Sequence, residues 1–240
     1  MNDLGMTRLY LLDIEGTTSP VSLVSEQLFP YARRHMEAFL RAHDRKVVVQ
    51  ADLAMLYEEN QVETDPAAPR IFDAANLDQA MVYLLWLMGR DRKSTALKSL
   101  QGKVWKNGYE SGELVGTIFP DVPEALARWS AKARVAIYSS GSVEAQKLIF
   151  GHSSAGDLTP LLSGYFDTRV GPKTSAASYL AIAEAMGVAS GEMLFVSDVV
   201  RELNPAREAG CVTRLALREG NAPVADAEGH LAIRSFAEIL

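Results

Sequence analysis

The chain has a single cysteine, Cys211, in 240 residues. That excludes an intrachain disulfide and any zinc site built on paired cysteines. Long apolar stretches are missing as well. The longest unbroken run, Ala80–Met88, falls far short of the ~20 residues that a membrane-spanning helix needs. The first dozen residues carry Asp3 and Asp13 around a short leucine-rich run, with no small-residue cleavage site, which argues against a secretory leader. No Asn-x-Ser/Thr acceptor occurs. Positive charge is in deficit: 24 Lys and Arg against 30 Asp and Glu leave a net −6 and an isoelectric point near 5.3. A general nucleic-acid binder is more often basic. The histidines, His35, His43, His152 and His230, show no metal-ligand spacing. The glycine-rich dinucleotide fingerprint, the P-loop and the G-x-S-x-G elbow are all absent. These absences predict a cytoplasmic protein that works on small molecules, with neither nucleic acid nor a membrane as partner.

What is present reads as a packed globular chain: 48% hydrophobic and 22% charged residues are enough to bury a core and argue against disorder. Arg8–Leu12 is a short apolar run ending at Asp13, which suits a strand buried on both faces. Helical periodicity follows from Val24 to His43 and on through Ala51–Asn60, then over Asp78–Met88 and Ser94–Leu100, which leads into glycine-rich residues 102–116. No strand-like alternation of any length occurs between residues 21 and 117. After Phe119-Pro120-Asp121 the rhythm changes. Strands are expected at Arg134–Tyr138, Tyr165–Val170, Met193–Val196 and Cys211–Leu217. Helices are expected at Pro123–Ala133, Val143–Phe150, Ser175–Met186 and Val200–Ala209. Strands alternating with helices imply an α/β fold with a Rossmann-like parallel sheet. The expected domains are a core of residues 1–20 and 118–240 and an all-helical insertion at 21–117.

In open parallel sheets, ligands bind beyond the carboxyl ends of the strands. Three apolar runs end there in polar residues: at Asp13, at Ser139, and at Ser197-Asp198. A carboxylate at a strand end can act as a nucleophile toward phosphorus, and a second one two residues on, Glu15, can serve as acid or base. Asp13, Glu15 and Asp198 cannot sit together ionised without a cation. A hard, oxygen-seeking ion is implied, and Mg²⁺ suits a few carboxylates plus a substrate phosphate. Asp13 alone could equally cap a turn; the three carboxylates jointly favour the metal site. Ser139, Ser140 and Gly141 precede a helix whose N-terminus offers N–H groups to an anion, although Ser142 also reads as a plain N-cap. Lys173, in Gly171-Pro172-Lys173-Thr174, is either a solvated loop residue or a point charge for a phosphate.

Asp13-Ile14-Glu15-Gly16-Thr17 resembles the first motif, D-x-D-x-T, of the haloacid-dehalogenase-like superfamily, and Ser139, Lys173 and Ser197-Asp198 follow in that superfamily's motif order. Glu15 departs from the usual second Asp. That departure, with Thr18 following, is similar to the enolase-phosphatase family of methionine salvage. So are Leu28-Phe29-Pro30-Tyr31-Ala32-Arg33, Leu84-Leu85-Trp86-Leu87-Met88 with Asp91-Arg92-Lys93, Tyr138-Ser139-Ser140-Gly141-Ser142 and Gly220-Asn221-Ala222-Pro223. The resemblance spans nearly the whole chain. It implies a haloacid-dehalogenase-like core with a helical cap, and a Mg²⁺-dependent conversion of 2,3-diketo-5-methylthiopentyl 1-phosphate to an acireductone and phosphate. It further implies Asp13 as nucleophile and metal ligand, Glu15 as metal-site residue and acid/base, and Asp198 as a metal ligand. Ser139, Ser140 and Gly141 would bind phosphate, Lys173 would neutralise it, Glu202 would support them, and the chain would be a monomer. Two other readings stay open: a capped phosphatase of another phosphorylated metabolite, and a catalytically silent binding module on the same fold.

Overall fold

The fold is that of a computed structural model, which describes residues 7–239. Residues 1–6 and 240 lie outside the described residues, so the core segment expected from residue 1 is followed from residue 7. The chain divides into two compact units. One comprises the N-terminal stretch through Val24 together with everything from Val115 onward; the other is Ser25–Leu114.

The first unit is built on a six-stranded sheet: β1 Leu9–Leu12, β2 Arg134–Tyr138, β3 Gly164–Phe166, β4 Met193–Ser197, β5 Val212–Ala216 and β6 Leu231–Ile233. All neighbours are parallel, in the order β3-β2-β1-β4-β5-β6. β1 lies at the centre, and every one of its side chains is buried, as its continuous apolar run predicts. One face of the sheet presents Leu9, Leu11, Tyr138 and Phe195 to Tyr179, Ile182, Leu203 and Ala206. On the other, Tyr10 stacks on Trp129 at 4.4 Å between ring centroids, and Trp129 meets Phe236 at 5.2 Å. Leu12 pairs with Ile137 on one side and Val196 on the other. The residues that follow those three positions therefore leave the sheet along one edge.

The helices of the chain are α1 Phe29–His43, α2 Val47–Gln61, α3 Leu77–Gly89, α4 Thr95–Glu110, α5 Val122–Ser130, α6 Val143–Gly151, α7 Ala176–Ala185 and α8 Val200–Glu208. The first four make up the second unit. α3 and α4 start on side-chain caps, Asn76 accepting from the Gln79 N–H at 3.0 Å and Ser94 from the Leu97 N–H at 2.9 Å. A π-helical turn, Leu23–Leu28, runs directly into α1, and Pro30, which has no N–H to donate, lies just past that junction.

The structure differs from these expectations at three places. The helix expected at Ser94–Leu100 runs further: α4 continues through Gly102 and Gly108 to Glu110. The reason is tertiary, since a Cβ on Gly108 would stand 2.6 Å from the Tyr31 ring, so glycine there permits close packing of α1 against α4. The third strand ends at Phe166 rather than Val170. Asp167 breaks it by turning its carboxylate onto the Arg169 N–H at 3.0 Å. β6 went unread because three residues, two of them exposed, carry no visible alternation.

Candidate active site

Asp13 extends the central ladder by one residue, its N–H donating to the Val196 carbonyl at 3.0 Å. Its side chain then stands at the carboxyl edge of the sheet, 5% exposed. Oδ1 accepts from the Ile14 N–H at 2.7 Å and pairs with Lys173 Nζ at 2.5 Å. Oδ2 meets the Ser197 hydroxyl at a looser 3.4 Å. Lys173, on sequence alone a solvated loop residue or a point charge for a phosphate, has a side chain only 10% exposed and also pairs with Glu202 Oε2 at 3.0 Å. The Ser197 hydroxyl reaches the same Glu202 oxygen at 3.0 Å.

The electrostatics follow from crowding. Burial by itself would depress the Lys173 ammonium, but Asp13 and Glu202 outweigh it and hold the pKa above the usual lysine value. Glu15 is raised by burial and then by the Asp13 charge, with Lys173 opposing. Glu202 is raised by burial and by Asp13. Asp198 is pushed up to about 7, by burial first and Asp13 next. Asp13, Glu15, Asp198 and Glu202 are thus four carboxyl groups sharing the field of one ammonium.

Asp198 lies directly after β4, beside the turn at Gly16. Gly16 has φ +66°, and a Cβ there would collide with the Asp198 carboxylate, so the turn requires glycine for backbone and for space. The same absent Cβ would stand 2.9 Å from Asn221 Oδ1, a buried acceptor without a hydrogen-bond partner.

Ser139 follows β2 and is also buried, and its N–H donates to the Phe166 carbonyl at 3.1 Å. Its hydroxyl accepts from the Gly141 N–H at 3.2 Å, drawing Ser139, Ser140 and Gly141 into a tight turn before α6. Ser142 caps that helix by accepting from the Ala145 N–H at 3.2 Å, so the plain-cap reading of Ser142 is correct. Asp13, Lys173, Ser197 and Glu202 form one network. Ser139, Ser140 and Gly141 follow β2, the neighbour of β1, at the same edge of the sheet.

Sequence reasoning missed Tyr179 and Asn221 as site residues. The Tyr179 hydroxyl lies 2.8 Å from the Lys173 carbonyl oxygen and 2.9 Å from that of Glu202, pinning the lysine loop to α8. Tyr138 and Ser178 hold the same loop at the Gly171 and Pro172 carbonyls, at 2.9 and 2.8 Å.

Among the described residues, no three of His, Cys, Asp and Glu stand grouped as a ready cage for a metal ion. The donor chemistry nevertheless fits a hard cation: an excess of buried carboxylates and an amide oxygen left without a partner.

Residues 7–210 match the haloacid dehalogenase-like hydrolase family. Over 232 residues, 95% of this chain and 96% of the relative, the sequence is 53% identical to enolase-phosphatase E1 of Synechococcus elongatus. It is 48% identical over 231 residues, 96% of each chain, to enolase-phosphatase E1 of Pseudomonas aeruginosa. Among solved structures, the UTR4 protein of Saccharomyces cerevisiae superposes with a TM-score of 0.78 at 37% identity, covering 97% of this chain and 99% of that one. With identity of this order sustained over almost the full length, the chain belongs to the enolase-phosphatase E1 family of haloacid dehalogenase-like hydrolases.

Proposed function

We propose that the chain converts 2,3-diketo-5-methylthiopentyl 1-phosphate to the acireductone 1,2-dihydroxy-3-keto-5-methylthiopentene and phosphate, in methionine salvage. The observation that carries this reading is the buried Asp13–Lys173–Glu202 cluster at the edge of the central strand, in a chain half identical to an enolase-phosphatase. The reaction has two parts. In enolisation a proton leaves the carbon bearing the phosphate ester and a proton reaches the neighbouring carbonyl oxygen. Glu15 is the acid/base: burial and the Asp13 charge raise its pKa above the ordinary carboxyl value, which favours a carboxyl group that takes up and returns a proton.

In phosphoryl transfer, an Asp13 carboxylate oxygen attacks phosphorus. An O–P bond forms, the ester P–O bond breaks, and the electron pair leaves on the enol oxygen, which takes a proton. Water then attacks the acyl phosphate, releasing phosphate and restoring Asp13. Oδ1 is held by Ile14 and Lys173, which leaves Oδ2, with its looser contact, as the attacking oxygen. Lys173 neutralises the phosphate, and Ser139, Ser140 and Gly141 bind it ahead of α6.

One Mg²⁺ per chain, held by Asp13, Glu15 and Asp198, would supply a Lewis acid for the carbonyl and a counter-charge for the phosphate. The helical insertion takes the part of the cap that keeps water from the reaction. The chain acts in the cytoplasm as a monomer, with a small phosphorylated diketone as its partner.

A time course with the diketone phosphate and Mg²⁺, following enol absorbance and free phosphate together, tests the reading. The enol signal should precede phosphate in the wild type. Phosphate release without an enol would indicate a phosphatase of another metabolite. Asp13→Asn should slow phosphate release by at least ~10³-fold, as loss of a nucleophile does elsewhere. Wild-type release by that variant would remove Asp13 from the nucleophile's role.

A further inference from the structure

Asn221 lies in the turn after β5, in sequence far from both Asp13 and Asp198. Its side-chain NH₂ donates to the Gly16 carbonyl at 2.9 Å and the Ala216 carbonyl at 3.4 Å. Those two acceptors fix the orientation of the amide, because the reversed amide would set its oxygen against two carbonyl oxygens. Oδ1 therefore points away from them. It is buried and has no donor. An orphan buried acceptor is unfavourable, and native structures keep few of them.

The vacant Cβ position of Gly16 locates that oxygen. It is 2.9 Å from Asn221 Oδ1 and pressed against the Asp198 carboxylate. An amide oxygen and a carboxylate thus crowd the same side of the Gly16 turn, acceptor beside acceptor. No protein group, Asp198 included, gives Oδ1 a hydrogen bond, so the donor that satisfies it has to come from outside the protein.

We infer that Asn221 is a positioning residue of the metal site: its Oδ1 accepts a hydrogen bond from a water molecule carried by the divalent cation that Asp198 binds. Its NH₂ at the same time ties the Gly16 turn to the end of β5. One side chain thus couples the loop after Asp13 to the hydration shell of the ion. The inference rests on the magnesium reading proposed above. It adds a residue that orients the ion without ligating it, and such outer partners typically contribute 10–100-fold to metal affinity.

The test is calorimetric titration of Mg²⁺ into the full chain without substrate, together with thermal melting of the metal-free protein. Asn221→Ala should bind Mg²⁺ about 10–100-fold more weakly than the wild type. Asn221→Ser, which keeps a short donor at the turn but withdraws the amide oxygen, should also bind it more weakly. A lowered metal-free melting temperature with Mg²⁺ affinity unchanged in Asn221→Ala would mean a purely structural residue and overturn the inference. If Asn221→Ala does not fold, Asn221→Ser decides alone: weaker binding supports the inference, and unchanged or tighter binding overturns it. A wild type that binds no Mg²⁺ would overturn the magnesium reading itself, and this inference with it.

Discussion

The two units treat charge in opposite ways. In the helical unit, cations and anions pair off near the surface. Arg41 bridges Glu37 at 2.9 Å and Asp78 at 2.7 Å, and Lys106 meets Glu110 one turn on at 2.7 Å. Even the more buried pair, Lys103 with Asp52 at 2.7 Å, matches one charge to one charge. In the α/β unit Lys173 faces Asp13 and Glu202 directly and also acts on Glu15 and Asp198, so the buried cluster is left with surplus negative charge. Balanced surface pairs contribute little to stability and are dispensable for chemistry. An unbalanced buried cluster is costly to fold, and its persistence marks a place where a ligand completes the charge.

Removing the two lysines should separate those roles. Lys173→Met deletes the one cation of the cluster. Steady-state phosphate release should fall ~10²–10³-fold, the usual loss when a charged group that stabilises a transition state is removed. Lys103→Met, in the helical unit, should lower the thermal midpoint by stranding Asp52 while leaving kcat close to the wild-type value. Equal loss of activity in both variants would erase the contrast.

A smaller effect is expected where the α/β unit uses a buried charge structurally. Asp121 accepts from Arg218 at 2.8 Å, the Ser235 hydroxyl at 3.0 Å and the Phe236 N–H at 2.6 Å. Burial would raise its pKa; the Phe236 N–H and Arg218 outweigh burial and hold it below the ordinary 3.8. A carboxylate depressed in the folded state adds stability above pH 3.8, and that stability is lost as pH falls through the lower folded value. Asp121→Asn should cost about 2–3 kcal/mol at neutral pH, since it strands a buried guanidinium. It should also flatten the acid limb of the stability curve below pH 3.8. Denaturant melts across pH check both. An acid limb as steep as the wild type's would show that other carboxylates set it.

Such contacts also explain what could be read in advance. Asp13, Ser139 and Asp198 stand at the ends of continuous apolar runs, so strand-end logic found them without coordinates. Lys173 was ambiguous because nothing local distinguishes a solvated loop lysine from a buried one; its burial is decided by Asp13 and Glu202, at distant positions in the chain. Tyr179 was hidden inside an apolar helix, where an aromatic reads as core, and only its hydroxyl's two carbonyl partners reveal more. Asn221 sits in a loop, and its significance depends on a turn some two hundred residues earlier. The sequence marks α4 only as far as Leu100, short of its glycines, for the same reason: composition reports backbone freedom, whereas Gly108 answers to Tyr31.

Those glycines supply the finest test, because two of them share one helix and differ only in what surrounds them. Gly→Ala in a helix interior is worth up to about 1 kcal/mol through reduced chain entropy. At Gly102 nothing lies within 4 Å of the new methyl group, so Gly102→Ala should stabilise the helical unit by close to that amount. At Gly108 the methyl group would stand 2.6 Å from the Tyr31 ring. Tyr31 cannot swing aside freely, because its hydroxyl donates to Glu113 at 2.6 Å and its ring stacks on His35 at 4.0 Å. Overpacking of this kind costs about 1–3 kcal/mol, enough to cancel or exceed the helical gain. Gly108→Ala should therefore melt below the wild type and Gly102→Ala above it, both with unchanged Mg²⁺ affinity. If both variants melted higher, backbone entropy would govern both positions and the tertiary reading of Gly108 would be wrong.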